Sequence, residues 1–347
     1  MSLLTYSGIT TKVRAMESHL ITDDQFREMA ALEDVRSAAD YLKLLPAYAD
    51  FFADLDDTKL HRGFIEQLLT QSEYRDFSKL YRFANLAQRK FLDLYFMHYE
   101  ITLIKQALRH VIGHRETTLD LSMFQDFFDQ HSTIDLVALS QAENLNDFIA
   151  HLAGSPYHDL LNRLSDNGLT VSFDYEMQLD LFYFKTLWRL KTKELSKQDQ
   201  RILDQCFGCR LDLLNLQWIC RAKRFYSLSS SEIYALLIPV NYRLRTAQVK
   251  QLVEAATMDD FYTILKSTAY GTLPDAQLNE TPDLKALYQQ LLYRIYQNTS
   301  RKHPYSIAAL DSYLYFKEVE MQRIITTIEG IRYGLGAGEI IALAAKQ

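Results

Sequence analysis

Glycine and proline are both scarce in this chain of 347 residues, at 11 and 6. That scarcity excludes a fold of many tight turns and favours long helices with few connections. The six prolines, Pro46, Pro156, Pro239, Pro274, Pro282 and Pro304, fall where helices can end. Cysteine is nearly absent too: Cys206, Cys209 and Cys220 imply no disulfide framework, which fits a reducing compartment. Cys206 and Cys209 have C-x-x-C spacing, but no second pair or nearby histidine completes a tetrahedral zinc site, so they read as small apolar side chains. Basic charge is in deficit, with 38 Lys and Arg against 44 Asp and Glu and a net charge of −6. A general nucleic-acid binder is thereby excluded, because phosphates are held mostly by Lys and Arg. Strongly apolar stretches such as residues 234–240 fall far below the roughly 20 residues that span a bilayer, and no signal-peptide pattern opens the chain. The expectation is a cytosolic or peripheral protein.

The chemistry-bearing motifs are missing as well. Neither G-x-x-x-x-G-K-[ST] nor G-x-G-x-x-G occurs, and G-x-S-x-G and H-E-x-x-H are absent. The pairs Asp23-Asp24, Asp56-Asp57 and Asp259-Asp260 are too short for the aspartate-rich motifs that hold magnesium, and read as helix starts where acids suit the dipole. Nine histidines are scattered without metal-ligand pairing; His98 and His110 lie in an apolar helical stretch. No catalytic residue, metal or cofactor is expected.

What the sequence does contain is a repeat. The stretch 91–113, FLDLYFMHYEITLIKQALRHVIG, has weaker copies at 202–225 and 309–335, aligned by setting Glu100 against Asp212 and Glu320. In the first copy Leu92, Tyr95, Phe96, Tyr99 and Leu103 form one helical stripe and Met97, Ile101, Ile104 and Leu108 another, the pattern of a helix buried on two sides. In the third, Leu310, Leu314, Met321, Ile324, Ile328 and Ile331 form a seam that polar Lys317 interrupts. Upstream of each copy an aromatic, a leucine one turn later and a tyrosine recur: Tyr41, Leu45 and Tyr48; Phe148, Leu152 and Tyr157; Phe261, Leu265 and Tyr270. Two features in register at one period point to an internal triplication.

The expected fold is therefore all-α, three similar bundles over residues 5–113, 114–228 and 229–347. Capping-box spacings mark helix starts at Thr22 and Gln25, Ser140 and Glu143, Ser196 and Asp199, Ser229 and Glu232, and Thr257 and Asp260. Helices are expected over about 23–31, 34–45, 58–70 and 73–112, the last uninterrupted by Gly or Pro. Four glycines between 330 and 338 predict a less regular end after Tyr333. Arg109 and Arg221 stand nine residues after Glu100 and Asp212, whereas the third copy has Glu329 there and Arg332 three residues later. These arginines either pair with acids inside the bundles or line a surface that grips a charged partner.

Several stretches carry a resemblance: YSGITTKVRAMESHL near the N-terminus, EITLIKQALR and DLLNLQWICR in the repeated helix, LIPVNYRL at 237–244, and YLYFKEVEMQRIITTIEGIRYGL. Together they resemble the C subunit of bacterial and archaeal V-type (A-type) ATPases, the family that includes the d subunit of the eukaryotic vacuolar enzyme. The resemblance runs from Tyr6 to about Leu335. It implies a non-catalytic rotor part, a pseudo-threefold, funnel-like set of three bundles on the cytoplasmic face of the membrane ring of ion-carrying subunits. Its cavity would receive the central shaft of subunits D and F, and torque would pass through it during H+ or Na+ transport. Arg109, Arg221 and Arg332 are the candidates for the shaft side. A cytosolic helical scaffold is the alternative, and it predicts repeats of 34 to 47 residues that a period near 110 contradicts.

Overall fold

The computed structural model describes residues 2–53, 55, 60–113, 119–169, 171–271 and 284–346. The start of the second expected span, at 114–118, Pro274, Pro282 and the pair Asp56-Asp57 lie outside them. The chain is 75% helical, and no strand occurs among the described residues. Helices α1 (Ser2–Glu17), α2 (Asp23–Ala30), α3 (Val35–Leu44), α4 (Arg62–Phe83) and α5 (Leu86–Ile112) come first. Next are α6 (Gln125–Phe128), α7 (Leu136–Ser140), α8 (Leu145–His151), α9 (His158–Asp166), α10 (Ser172–Glu194), α11 (Lys197–Leu203) and α12 (Cys209–Phe225). Last are α13 (Ser230–Leu236), α14 (Thr246–Glu254), α15 (Met258–Lys266), α16 (Leu284–Lys302), α17 (Ile307–Arg332) and α18 (Ala337–Ala344).

Several starts are the expected ones. Thr22 with Gln25 and Thr257 with Asp260 form reciprocal capping boxes. Others differ. The stretch 73–112 is not one strut: Ala84 turns extended and Asn85 caps α5, its side chain accepting from the Gln88 amide while Gln88 reaches back. Asparagine at this spacing is a cap that a search for Gly or Pro breaks overlooks. Ser140 ends α7 rather than starting a helix; Asn144 caps α8 instead.

Two compact units divide the chain: Asn85–Lys197 with Ser231–Val240, and Met1–Ala84 with Gln198–Ser230 and Asn241–Gln347. In the first, α5 and α10 run antiparallel, because Lys90, Lys105 and Arg109 pair in reverse chain order with Glu194, Asp180 and Glu176 at 3.1, 2.8 and 2.7 Å. An aromatic cluster of Phe96, Phe127, Phe128 and His131 fills the space beside α5. Both stripes expected on α5 are buried except Met97, which is half-buried. In the second unit one core joins Phe26, Leu42, Tyr48 and Leu69 to Ile324, Ile328 and Ile340. The short helices α2 and α3 and the long α4 are thus packed with α17 and α18, from the other end of the sequence.

The glycine-rich end is more regular than expected. It forms α18, and the reason is close packing: a Cβ on Gly330 would stand 2.7 Å from Ile340 Cγ1. Glycine in α17 lets α18 lie directly on it, and Ile340 is buried as a result. Gly330→Ala should cost about 1–3 kcal/mol through overpacking, with faster hydrogen exchange confined to α18 and the facing part of α17; unchanged exchange there would refute this contact.

Candidate functional site: three hydrogen-bonded acids and the ends of the long helices

Glu100, Asp212 and Glu320 sit in long helices, and all three are hydrogen-bonded by one of the recurring tyrosines. The Tyr157 hydroxyl donates to Glu100 Oε2 at 2.6 Å, the Tyr270 hydroxyl to Asp212 Oδ2 at 2.8 Å, and the Tyr48 hydroxyl to Glu320 Oε1. The order is shifted: Glu100 and Asp212 take the tyrosine that follows them in the chain, and Glu320 takes the first. Sequence alone showed the two residue sets in register but not which member of one meets which of the other.

Each acid also receives donors from the segment just ahead of a short helix. The Ser132 hydroxyl donates to Glu100 ahead of α7. Ahead of α14, the Tyr242, Arg243 and Leu244 amides donate to Asp212 at 3.0, 2.6 and 3.0 Å, so part of LIPVNYRL folds around a carboxylate. The Ile21 amide donates to Glu320 ahead of α2. A buried carboxylate needs such donors because desolvation disfavours its charge. Gly208 makes room for the Asp212 arrangement, since a Cβ there would meet the Tyr242 ring at 2.6 Å. None of these donors repeats by residue type, and for that reason pattern reading missed Ser132, Ile21 and the amides of 242–244.

Electrostatically the three are not alike. Burial pushes the Glu100 carboxyl above its ordinary range, opposed by the Ser132 and Tyr157 hydrogen bonds. Burial does the same to Asp212, opposed by the three amides and Tyr270. Glu320 alone has a cation: Lys317, 1% exposed, places Nζ 3.0 Å from Glu320 Oε1, 2.8 Å from the Tyr48 hydroxyl and 3.8 Å from Asp76 Oδ2. Asp76 also accepts from the Tyr313 hydroxyl at 2.7 Å. Burial, with the adjacent carboxylates, raises the hydroxyl pKa of Tyr48, Tyr157 and Tyr270 well above the usual value, so they stay protonated donors.

The three arginines have different surroundings. Arg109 donates to Glu176 at 2.7 Å. Arg332 stands 3.4 Å from Glu329 and donates to the Leu60 carbonyl. Arg221 is exposed and forms no ion pair among the described residues. Aromatics crown two of these helix ends: Phe225 and Tyr226 are 67% and 63% exposed at the end of α12, and Tyr333 is 74% exposed beside Arg332. The three cysteines are buried and free, and burial raises their thiol pKa. Among the described residues no cluster of three metal-ligating side chains occurs, and no helix is long and apolar enough to cross a membrane.

The fold and these sites define a class: an all-helical protein whose singled-out acids and tyrosines join helices to one another. A family model described as ATP synthase (C/AC39) subunit matches residues 9–343. The chain is 24% identical over 334 residues to the C subunit of the A-type ATP synthase of Methanosphaera stadtmanae, covering 93% of this chain and 83% of that one. Similar relatives are the A-type ATP synthase C subunits of Desulfurococcus sp., 23% identical over 350 residues (98% and 91% covered), and Thermococcus kodakarensis, 24% over 348 (95% and 87%). The chain belongs to the ATP synthase (C/AC39) subunit family, and is thereby a subunit of a rotary ATPase.

Two outcomes follow for the acids. Tyr157→Phe leaves Glu100 with one donor and should cost about 2 kcal/mol, whereas Tyr270→Phe leaves Asp212 with three amides and should cost about 1 kcal/mol or less; urea unfolding of the two variants checks the ranking. The folded pKa of Glu100 lies above the unfolded one, so its favourable contribution is complete below about pH 4 and is lost as pH rises through the folded value. Glu100→Gln does not titrate, and its stability relative to wild type should therefore improve between about pH 4 and 7. A difference that stays flat with pH would count against a burial-raised Glu100.

Proposed function

We propose that the chain is a non-catalytic rotor subunit, a socket that links the central shaft of subunits D and F to the membrane ring of ion-carrying subunits on the cytoplasmic side. The observation that carries this reading is the breadth of the family match, residues 9–343, over a chain whose conspicuous polar residues are spent on internal joints. A part that transmits torque must resist twisting, and buried, hydrogen-bonded joints between close-packed helices supply stiffness.

The internal triplication belongs to the same proposal. Spans 5–113, 114–228 and 229–347 are three copies of one plan, short helices followed by long ones, in a pseudo-threefold, funnel-like arrangement. The acid–tyrosine hydrogen bonds support a refinement: the second long helix of one copy completes the short helices of the next, and the last copy completes the first. On the shaft side stand Arg109, Arg221 and Arg332. Arg221, with no acid of its own among the described residues and with Phe225 and Tyr226 one turn on, has the mixed character of an interface. Arg109 and Arg332 already hold Glu176 and Glu329 and would have to exchange them for a partner's acids.

Binding of the purified chain to a D–F heterodimer tests the reading. Affinity should fall as salt rises, and Arg221→Glu should weaken it more than Arg109→Glu or Arg332→Glu while the helical signal is retained. No binding by the wild type even at low salt would sink the socket role; equal binding by all three variants would remove the arginines from it. The purified chain alone should hydrolyse no ATP, and a saturable activity that follows the protein through purification would overturn the non-catalytic reading.

A further inference from the structure

The three acid–tyrosine joints span very different lengths of chain. Glu100 and Tyr157 are 57 residues apart and Asp212 and Tyr270 are 58, but Glu320 and Tyr48 are 272 apart. Closing the longest loop is disfavoured roughly tenfold relative to the others by chain entropy alone. The helix that completes α2, α3 and α4 is thus the one least favoured by proximity, while α5 follows α4 directly and carries an acid in the same register. Something must tell these helices apart.

The difference lies in two positions. Three residues before the acid, α17 has Lys317 where α5 has Met97 and α12 has Cys209. Seven residues before it, α17 has Tyr313, whereas α5 has Asp93 and the turn leading into α12 has Gln205. Both α17 residues meet Asp76 of α4, Tyr313 by a hydrogen bond of 2.7 Å and Lys317 at 3.8 Å. Were α5 laid in the same place, Met97 would offer Asp76 no charge and Asp93 would bring a second carboxylate toward it. Asp76 would keep Lys79, 3.0 Å away and 39% exposed, but a buried acid set against a like charge penalises the wrong helix more than it stabilises the right one.

We propose that Lys317, read by Asp76 and Tyr48, selects α17 over the other long helices as the one that completes the bundle of α2, α3 and α4. The charge is a label for pairing more than a source of stability. A single buried polar residue that sets register in a coiled coil acts in the same way. The inference holds whether or not the chain is a rotor socket.

The test separates labelling from stability. In the full-length neutral set Lys317→Met, Glu320→Gln and Asp76→Asn, no buried charge is stranded, since Lys79, which also pairs with Asp76, is 39% exposed. Its helical signal should match wild type and hydrogen exchange over residues 145–161 should be unchanged. Exchange over residues 23–44 should quicken at least tenfold, and sedimentation should show concentration-dependent dimers in which a long helix of a second copy takes the vacated place. A monomer with wild-type exchange over residues 23–44 would overturn the proposal. If the neutral set loses its helical signal, the single variants decide: Lys317→Arg should keep the wild-type monomer and exchange pattern, and Lys317→Met should not. Identical behaviour of those two would equally overturn it.

Discussion

A carboxylate taken out of water has to be met by donors, and much of this molecule is arranged around that constraint. Glu100, Asp212 and Glu320 each lie in a long helix rich in buried apolar residues, and each draws in a tyrosine and the start of a short-helix segment. The donors differ freely, from a serine hydroxyl to three consecutive amides to a lysine. What stays constant is that one polar point in each long helix sets where it meets the elements packed on it. Apolar packing alone is less exacting, since volume-conserving slips along an apolar seam cost little.

The exception among the three is instructive. Asp212 is balanced by four neutral donors and Glu320 by an ammonium group, so a long-helix acid is met by dipoles in one place and by charge in another. Dipoles suit a joint whose two sides are near in sequence and cannot easily be mistaken. Where the sides come from opposite ends of the chain, a charged pair adds discrimination that neutral groups lack.

Much of this was legible in the sequence, and the illegible part has a common cause. Helical periodicity revealed the double-sided burial of α5 and α17, and the register of acids with tyrosines marked the residues that turned out to be joints. Lys317 stood out as a break in an apolar seam, but its partners Asp76 and Tyr48 could not be named, because they come from residues far away in the chain. That Tyr48 meets Glu320 was hidden for the same reason: periodicity reports local geometry, and pairing between elements far apart in the chain is a tertiary choice. Local errors had local causes. Asn85 capped a helix without Gly or Pro, and Gly330 served close packing rather than irregularity.

The core that joins α2, α3 and α4 to α17 also sets a schedule for the chain as it is made. The segment from α5 to α10 is continuous in sequence and can assemble as it leaves the ribosome. The apolar faces of α2 to α4 are synthesised before α5, yet their covering helix is about 250 residues downstream, which at typical elongation rates is roughly ten to fifty seconds. For that interval Phe26, Leu42 and Leu69 stand without the partners that later bury them. A face made before α5 is thus completed only once α17 has emerged, and a transcript cut short before α17 would yield a product with that face permanently bare.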